Sequence, residues 1–357
     1  MKTVPTTPSH AIGLGTNIAL PISSQHHPHL AKLIDGFHRQ LTYLRLSVTD
    51  FCNFRCNYCL PNGYTANGGK RPDNELSLDE IATLIQGFAT LGTTKVRLTG
   101  GEPSIRHDLP QIIELAKQTQ GIKTVAVSSN GYRLAKHLTD WKNAGLDKLN
   151  ISIDSFNPAV FKQITGFDIL PTLLKDIDKL LESTEIHLKL NGILKADTAF
   201  DNLQNALAYV KDRPVTYRFI EFMQTSDNKA LFFAQHSSGQ RIKDFLLQNG
   251  WQSQRRASDA GPAIEYRHAD YVGGIGLIEP YAPQFCDSCN RLRVSSQGKV
   301  HLCLFDNGSY DVRGFLANGD VDGLVHALQS LMPIKPEHHL LKQNDSGIMA
   351  NLSMIGG

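Results

Sequence analysis

Six cysteines carry the chemistry most plainly, and they fall into two trios: Cys52, Cys56 and Cys59, then Cys286, Cys289 and Cys303. Disulfides within either trio would strand one thiol, so metal ligation is the better reading. The first trio has the spacing C-x3-C-x2-C. Three thiolates on so short a loop can hold three irons of a [4Fe–4S] cluster and leave the fourth open to a ligand. A structural zinc site would need a fourth ligand, and no histidine lies in that loop. The second trio is C-x2-C followed by Cys303 after thirteen intervening residues. From spacing alone, zinc with His301 as fourth ligand competes with a second cluster. Arg291 and Arg293 beside it shift the balance, since two guanidiniums suit an anionic ligand.

These loops need elements to position them. Short β-type runs alternate with helical stretches from Leu41 onward: strands over Tyr43–Thr49, Lys95–Thr99, Thr124–Ser129, Lys148–Asp154, His187–Leu194 and Tyr217–Met223. Helices are expected over Leu76–Leu91, with a Ser77/Glu80 capping box and Gly92 closing its end, and over Asp108–Thr119, Leu134–Ala144 and Leu170–Leu181. Repeated βα units imply a parallel sheet with right-handed crossovers. Six units fall short of a closed eight-stranded barrel, so the expected fold is α/β: a partial, open (β/α)6 barrel over residues 36–223. A smaller C-terminal covering unit, 224–357, carries the second trio and a Gly-Gly tail. It should hold two helices and strands over Ile264–His268, Ile275–Ile278, Arg291–Val294 and Val300–Phe305. Residues 1–35, rich in Pro, Ser, Thr and His, are expected to be a mobile extension, with His26, His27 and His29 as solvated polar residues rather than ligands.

Alternation within the strands says more. Leu44, Leu46 and Val48 oppose Arg45, Ser47 and Thr49; Val96 and Leu98 oppose Arg97 and Thr99; Leu149, Ile151 and Ile153 oppose Asn150, Ser152 and Asp154; Leu188 and Leu190 oppose Lys189 and Asn191. The apolar faces would lie under helices, which leaves a polar, partly cationic interior. Polar residues in a barrel centre are costly unless they meet a ligand. Gly100-Gly101-Glu102-Pro103 follows the second strand, where glycines let backbone approach a ligand and Glu102 can take an ammonium. Trp141 and Trp251 read as packing residues, and His107 and the His338-His339 pair as surface residues.

Composition sets the outer limits. The chain has 357 residues with 41% hydrophobic and 20% charged, enough for a sizeable core and too apolar for global disorder. A formal net charge of +2 argues against bulk nucleic-acid or membrane-surface binding. No run of about eighteen apolar residues is present, and the N-terminus lacks a secretory h-region, so a reducing cytoplasm is the expected location.

C-x3-C-x2-C with Tyr58 before the last cysteine resembles the radical S-adenosylmethionine (SAM) superfamily. Longer blocks make the likeness more specific: YLRLSVTDFCNFRCNYCLP, KVRLTGGEPSIR, SSNGYRL, FCDSCNRLRVSSQGKVHLCLF and the terminal Gly356-Gly357, spanning roughly nine-tenths of the chain from Phe37. Together they resemble the GTP 3′,8-cyclase family of molybdenum cofactor biosynthesis. The resemblance implies a SAM-dependent radical lyase that converts GTP to (8S)-3′,8-cyclo-7,8-dihydroguanosine 5′-triphosphate. It implies two [4Fe–4S] clusters, the second offering its open iron to guanine. It assigns SAM contacts to Tyr58, Gly101, Glu102, Ser152 and Met223. GTP contacts fall on Arg45, Arg97, Ser128, Lys189, Arg291, Leu292 and Arg293, and catalytic roles on Arg291, Arg293, Gly356 and Gly357. Ser128 stands where the family usually has Thr, and the hydroxyl survives. No G-x4-G-K-[ST] is present, so GTP binding would not be of the P-loop kind. The resemblance further implies a flavodoxin or ferredoxin system as electron donor, a cyclic pyranopterin monophosphate synthase that receives the product, and a homodimer. Nucleic acid and membrane are not expected partners. Two rivals remain: a radical SAM peptide maturase with an auxiliary cluster, and a zinc-bearing binding module.

Overall fold

The structure is a computed structural model that describes residues 32–256, 260–347, 352, 353, 355 and 356. Gly357, the three histidines at 26–29 and most of the N-terminal extension lie outside the described residues.

Six βα units form the frame. Strands β1 (Tyr43–Thr49), β2 (Lys95–Gly100), β3 (Thr124–Ser129), β4 (Lys148–Ser152), β5 (His187–Leu194) and β6 (Thr216–Glu221) pair in sequence order, all parallel. Helices α1 (Leu78–Thr90), α2 (Leu109–Gln118), α3 (Leu134–Asn143), α4 (Pro158–Thr165), α5 (Leu170–Ser183) and α6 (Ala199–Lys211) connect them. At the start of α1, Ser77 Oγ accepts from Glu80 N at 3.2 Å and Glu80 Oε2 accepts from Ser77 N at 2.8 Å, which completes the capping box. The strand faces separate as alternation requires. Leu44, Leu46, Val96, Leu98, Leu149, Ile151 and Leu190 are wholly buried in the core under the helices, with Trp141 beside them. Burying a side chain of that size contributes about 1.5–3 kcal/mol each.

The C-terminal region builds no sheet of its own. It holds α7 (Lys229–Gln235), α8 (Gln240–Gln248), β7 (Gln252–Ser253), β8 (Ile264–Arg267), β9 (Gly274–Ile278), β10 (Arg291–Val294), β11 (Lys299–His301), β12 (Tyr310–Asp311), α9 (Arg313–Ala317) and α10 (Val321–Ser330). It has four helices among the described residues rather than the expected two; α7 and α9 are too short to show a helical period. Its strands extend the barrel sheet at both edges, β10 pairing parallel with β1 and β9 parallel with β6. The full order is β12-β11-β10-β1-β2-β3-β4-β5-β6-β9-β8-β7, and the sheet does not close. The strand expected over Val300–Phe305 ends at His301. There Asp306 Oδ2 accepts from Leu302 N at 3.2 Å and the chain turns, which sets Cys303 on a loop. Among the described residues no helix is long and apolar enough to cross a membrane.

Candidate active site

The inner face of the open barrel encloses a cavity of about 550 Å³. All six cysteines line it as free thiols, although the two trios lie more than two hundred residues apart in the chain. Cys59 of the first trio and Cys303 of the second pack against one cluster of Met223, Phe305, Leu341 and Leu352. Among the described residues no three His, Cys, Asp or Glu side chains close on a single-ion site. Each trio instead stands open to the cavity.

The first trio lies on the loop after β1. Cys59 N and Leu60 N both donate to Cys56 O, at 3.0 and 2.8 Å, which winds the loop into a tight turn. Tyr58 Oη donates to Asp154 Oδ2 at 2.8 Å and so ties the loop to the end of β4. Burial pushes all three thiols up, Cys59 to about 12, with carboxylates nearby (Glu102 beside Cys52, Asp154 beside Cys56 and Cys59) acting in the same direction. Such thiolates need a cationic partner such as iron to form. Three thiols with no fourth ligand on the loop suit a cluster with one open iron.

Gly100 and Gly101 line the cavity and also pack closely on a neighbouring stretch of backbone. A Cβ on Gly100 would sit 2.0 Å from Thr49 O, and one on Gly101 would sit 2.2 Å from Phe51 O. The glycines therefore let this turn dock on the backbone that launches the cysteine loop, where Gly101 N donates to Thr49 O and Glu102 N to Phe51 O. Glu102 lines the cavity, yet its carboxylate accepts from Ser104 N, Ser129 Oγ and Asn130 N, at 3.0, 2.8 and 2.6 Å. Ser152 and Met223 also line the cavity.

The second trio differs at one thiol: burial pushes Cys286 and Cys303 up, as in the first trio, while Cys289 goes the other way. Burial raises Cys289, but Arg291, Lys335 and Arg39 outweigh it and bring the thiol down to about 7. Arg39 Nη1 donates to Cys286 O at 3.0 Å, and Lys335 Nζ donates to Leu302 O, so both cations brace the ligand loops from behind. His301 is buried and does not line the cavity. His339 does line it, between Phe285 and Phe305, and is no surface residue; its ring nitrogens meet Pro280 O at 2.9 Å and Leu341 N at 3.3 Å. His338 and His107 are exposed.

Between the trios the wall is cationic: ten Lys and Arg line the cavity against three Asp and Glu. Strand register arranges them. Tyr43 is level with Lys95 and Arg291, and Arg45 is level with Arg97 and Arg293. Arg97 Nη1 donates to Ser128 Oγ at 3.0 Å and Val127 O at 3.2 Å. Lys189 is paired with Glu265. Arg45 is brought down to about 10 by burial, with Arg97 and Arg291 repelling it, and Arg293 is lowered further. Crowded buried cations with depressed pKa values call for an anion. Leu292 alternates away from Arg291 and Arg293, and its side chain is buried in the hydrophobic core, so only its backbone could serve a ligand here. Gly356 reaches the cavity wall: its carbonyl accepts from Arg45 Nη2 at 2.7 Å and from Arg293 Nη1, and a Cβ there would lie 2.1 Å from Thr99 Cγ2.

Comparison with known proteins decides the family. Residues 46–211 match the radical SAM superfamily model, and 215–341 match Molybdenum Cofactor Synthesis C. The GTP 3′,8-cyclase of Actinobacillus succinogenes is 47% identical over 91% of this chain and 97% of its own length. Those of Haemophilus influenzae and Vibrio vulnificus are each 45% identical, covering 92% and 90% of this chain and 97% of theirs. The chain belongs to the GTP 3′,8-cyclase family. Its fold matches SuiB of Streptococcus suis bound to S-adenosylmethionine, with TM-score 0.55 and 10% identity over 82% of this chain and 69% of that one. Native anSMEcpe with bound AdoMet gives 0.53 at 13% identity, over 81% and 84%. At those identities the likeness concerns fold alone. Membership of the radical SAM superfamily brings a [4Fe–4S] cluster and SAM as cofactors.

Several cavity residues escaped the sequence reading, among them Arg218, Glu265 and Arg256. Arg218 projects inward between outward Tyr217 and Phe219 on β6, and alternation in that strand would have found it. Glu265 and Arg256 come from the C-terminal region, where strands are short and no period announces a face.

Proposed function

We propose that the protein is a GTP 3′,8-cyclase that forms (8S)-3′,8-cyclo-7,8-dihydroguanosine 5′-triphosphate at the start of molybdenum cofactor biosynthesis. One observation carries this: both cysteine trios and a strongly cationic wall share a single cavity of nucleotide size. When bound, a [4Fe–4S] cluster and SAM supply a 5′-deoxyadenosyl radical able to take the 3′ hydrogen of the GTP ribose and start ring closure onto C8 of guanine.

This chain's residues bind, orient and exclude water. Cys52, Cys56 and Cys59 hold the first cluster; Tyr58, Gly101, Glu102, Ser152 and Met223 surround SAM. Cys286, Cys289 and Cys303 hold a second cluster with an open iron for guanine. Arg45, Arg97, Ser128, Lys189, Arg291, Arg293 and the Leu292 backbone receive the rest of GTP, with Arg218 and Lys95 added from the cavity wall. Gly356 and Gly357 close the site from the tail, and Arg291 and Arg293 act beside the reacting base. Residues 36–223 form the radical half and 224–357 the unit of the second cluster. The protein works in the cytoplasm as a homodimer, takes electrons from a flavodoxin or ferredoxin, and hands its product to cyclic pyranopterin monophosphate synthase.

Two clusters need roughly eight irons per chain. Metal analysis of anaerobically purified protein should find that iron with little zinc. Roughly four irons with one zinc would replace the second cluster by a zinc site and remove the proposed guanine ligand.

A further inference from the structure

Tyr43 sits on the floor of the cavity, where strand register surrounds it with cations. Its neighbours by element are Arg45 from β1, Lys95 and Arg97 from β2, Arg291 and Arg293 from β10, and Arg218 from β6. The ring is buried, and the Lys95 ammonium lies over its face at 4.7 Å. Its hydroxyl accepts from Arg97 Nε at 2.5 Å and also bonds Arg45. Glu265, the carboxylate on this side of the cavity, is paired with Lys189. The phenol itself hydrogen-bonds both Arg45 and Arg97.

We propose that Tyr43 is the positioning residue of the phosphate pocket, holding Arg97 and Arg45 in place and taking up a proton when the GTP triphosphate arrives. The proposal rests on the assignment of these cations to the triphosphate. Burial alone would raise the phenol, but Arg97, Arg45 and Lys95 outweigh it and pull it down to about 7. Above that pH the free protein therefore carries a phenolate among its guanidiniums. A bound triphosphate sets several negative charges against the same cations and reverses the balance, so the phenol is protonated in the complex. By linkage, each unit of pH above the free phenol's pKa weakens GTP binding about tenfold through this group.

The test is titration calorimetry of GTP, guanosine and SAM into cluster-loaded parent and Tyr43→Phe protein, from pH 6.5 to 8.5, in two buffers of different ionisation enthalpy. Phenylalanine keeps the ring under Lys95 and removes only the hydroxyl, and comparison with the variant cancels the titration of GTP itself. Parent should take up roughly one more proton per GTP than the variant at pH 8. Tyr43→Phe should bind GTP about two- to tenfold more weakly at pH 6.5 through the lost hydrogen bond. It should then match or exceed the parent at pH 8.5. Guanosine and SAM should show no such difference. Equal proton uptake, or the same pH slope in both proteins, overturns the proposal even if GTP binds more weakly, because a merely structural hydroxyl would behave so. A parent that binds guanosine as tightly as GTP would instead remove the phosphate assignment, and the role of Tyr43 with it.

Discussion

Arg97 and Lys189 are held in the cavity by different partners. Arg97 is braced by Tyr43, Ser128 and the Val127 carbonyl, all neutral or weakly acidic, whereas Lys189 faces the Glu265 carboxylate. A charge-assisted bond to phosphate is worth about 1.5–3 kcal/mol. Arg97→Ala should therefore weaken GTP binding roughly ten- to a hundredfold. Lys189→Ala should lie at the upper end of that range, since it also leaves Glu265 facing the triphosphate. Guanosine and SAM, which lack phosphates, should bind both variants as they bind the parent; calorimetry of the three ligands checks this. Gly356 makes a steric prediction. Its φ is +66°, and an added Cβ would collide with Thr99 at 2.1 Å. Gly356→Ala should displace the tail and reduce cyclised product while SAM binding holds. Thr99→Ala in that background should restore part of the product, because it removes the contacts at 2.1 and 2.6 Å but leaves Thr99 Cβ at 2.9 Å and the backbone strain.

The loops at the strand ends make predictions as units. Cys56→Ala should abolish 5′-deoxyadenosine formation, whereas Cys289→Ala should lose GTP cyclisation and retain slow, uncoupled SAM cleavage. Complete loss of SAM cleavage in both, with the remaining cluster assembled, would contradict that division of labour. The helix behind them depends on its cap. Ser77→Ala removes an acceptor of the capping box and should lower stability by about 1 kcal/mol, read as a shift of the denaturant midpoint. At this scale much was legible in the sequence. Period-two alternation put Arg45, Arg97, Asn150 and Lys189 on one face, and the capping box marked the start of α1. Other features depend on chain segments that meet only after folding. Gly100 and Gly101 make room for the backbone of Thr49 and Phe51, and His339 is enclosed by Phe285 and Phe305. No local pattern announces such partners. Leu292 was placed by family likeness, and the alternation between Arg291 and Arg293 already turned its side chain outward.

Across the whole molecule, average charge conceals the site. A net charge of +2 coexists with a cavity wall where ten cations face three carboxylates. The sheet explains how such a wall is held. The C-terminal region supplies β10 at one edge and β9 at the other, so it brings Arg291 and Arg293 level with Tyr43 and Arg45 and encloses the space between the trios. Four of those cations, Lys95, Arg97, Arg218 and Arg293, are buried, a costly arrangement that an anionic ligand would offset. The central claim is that both trios and this wall act on one GTP molecule. Anaerobic incubation of cluster-loaded protein with GTP, SAM and a strong reductant tests it, with product identification by mass spectrometry and deuterium at the GTP 3′ position. The account predicts 3′,8-cyclo-7,8-dihydro-GTP, with that deuterium appearing in 5′-deoxyadenosine. SAM cleavage that leaves GTP unchanged and transfers no deuterium would contradict it.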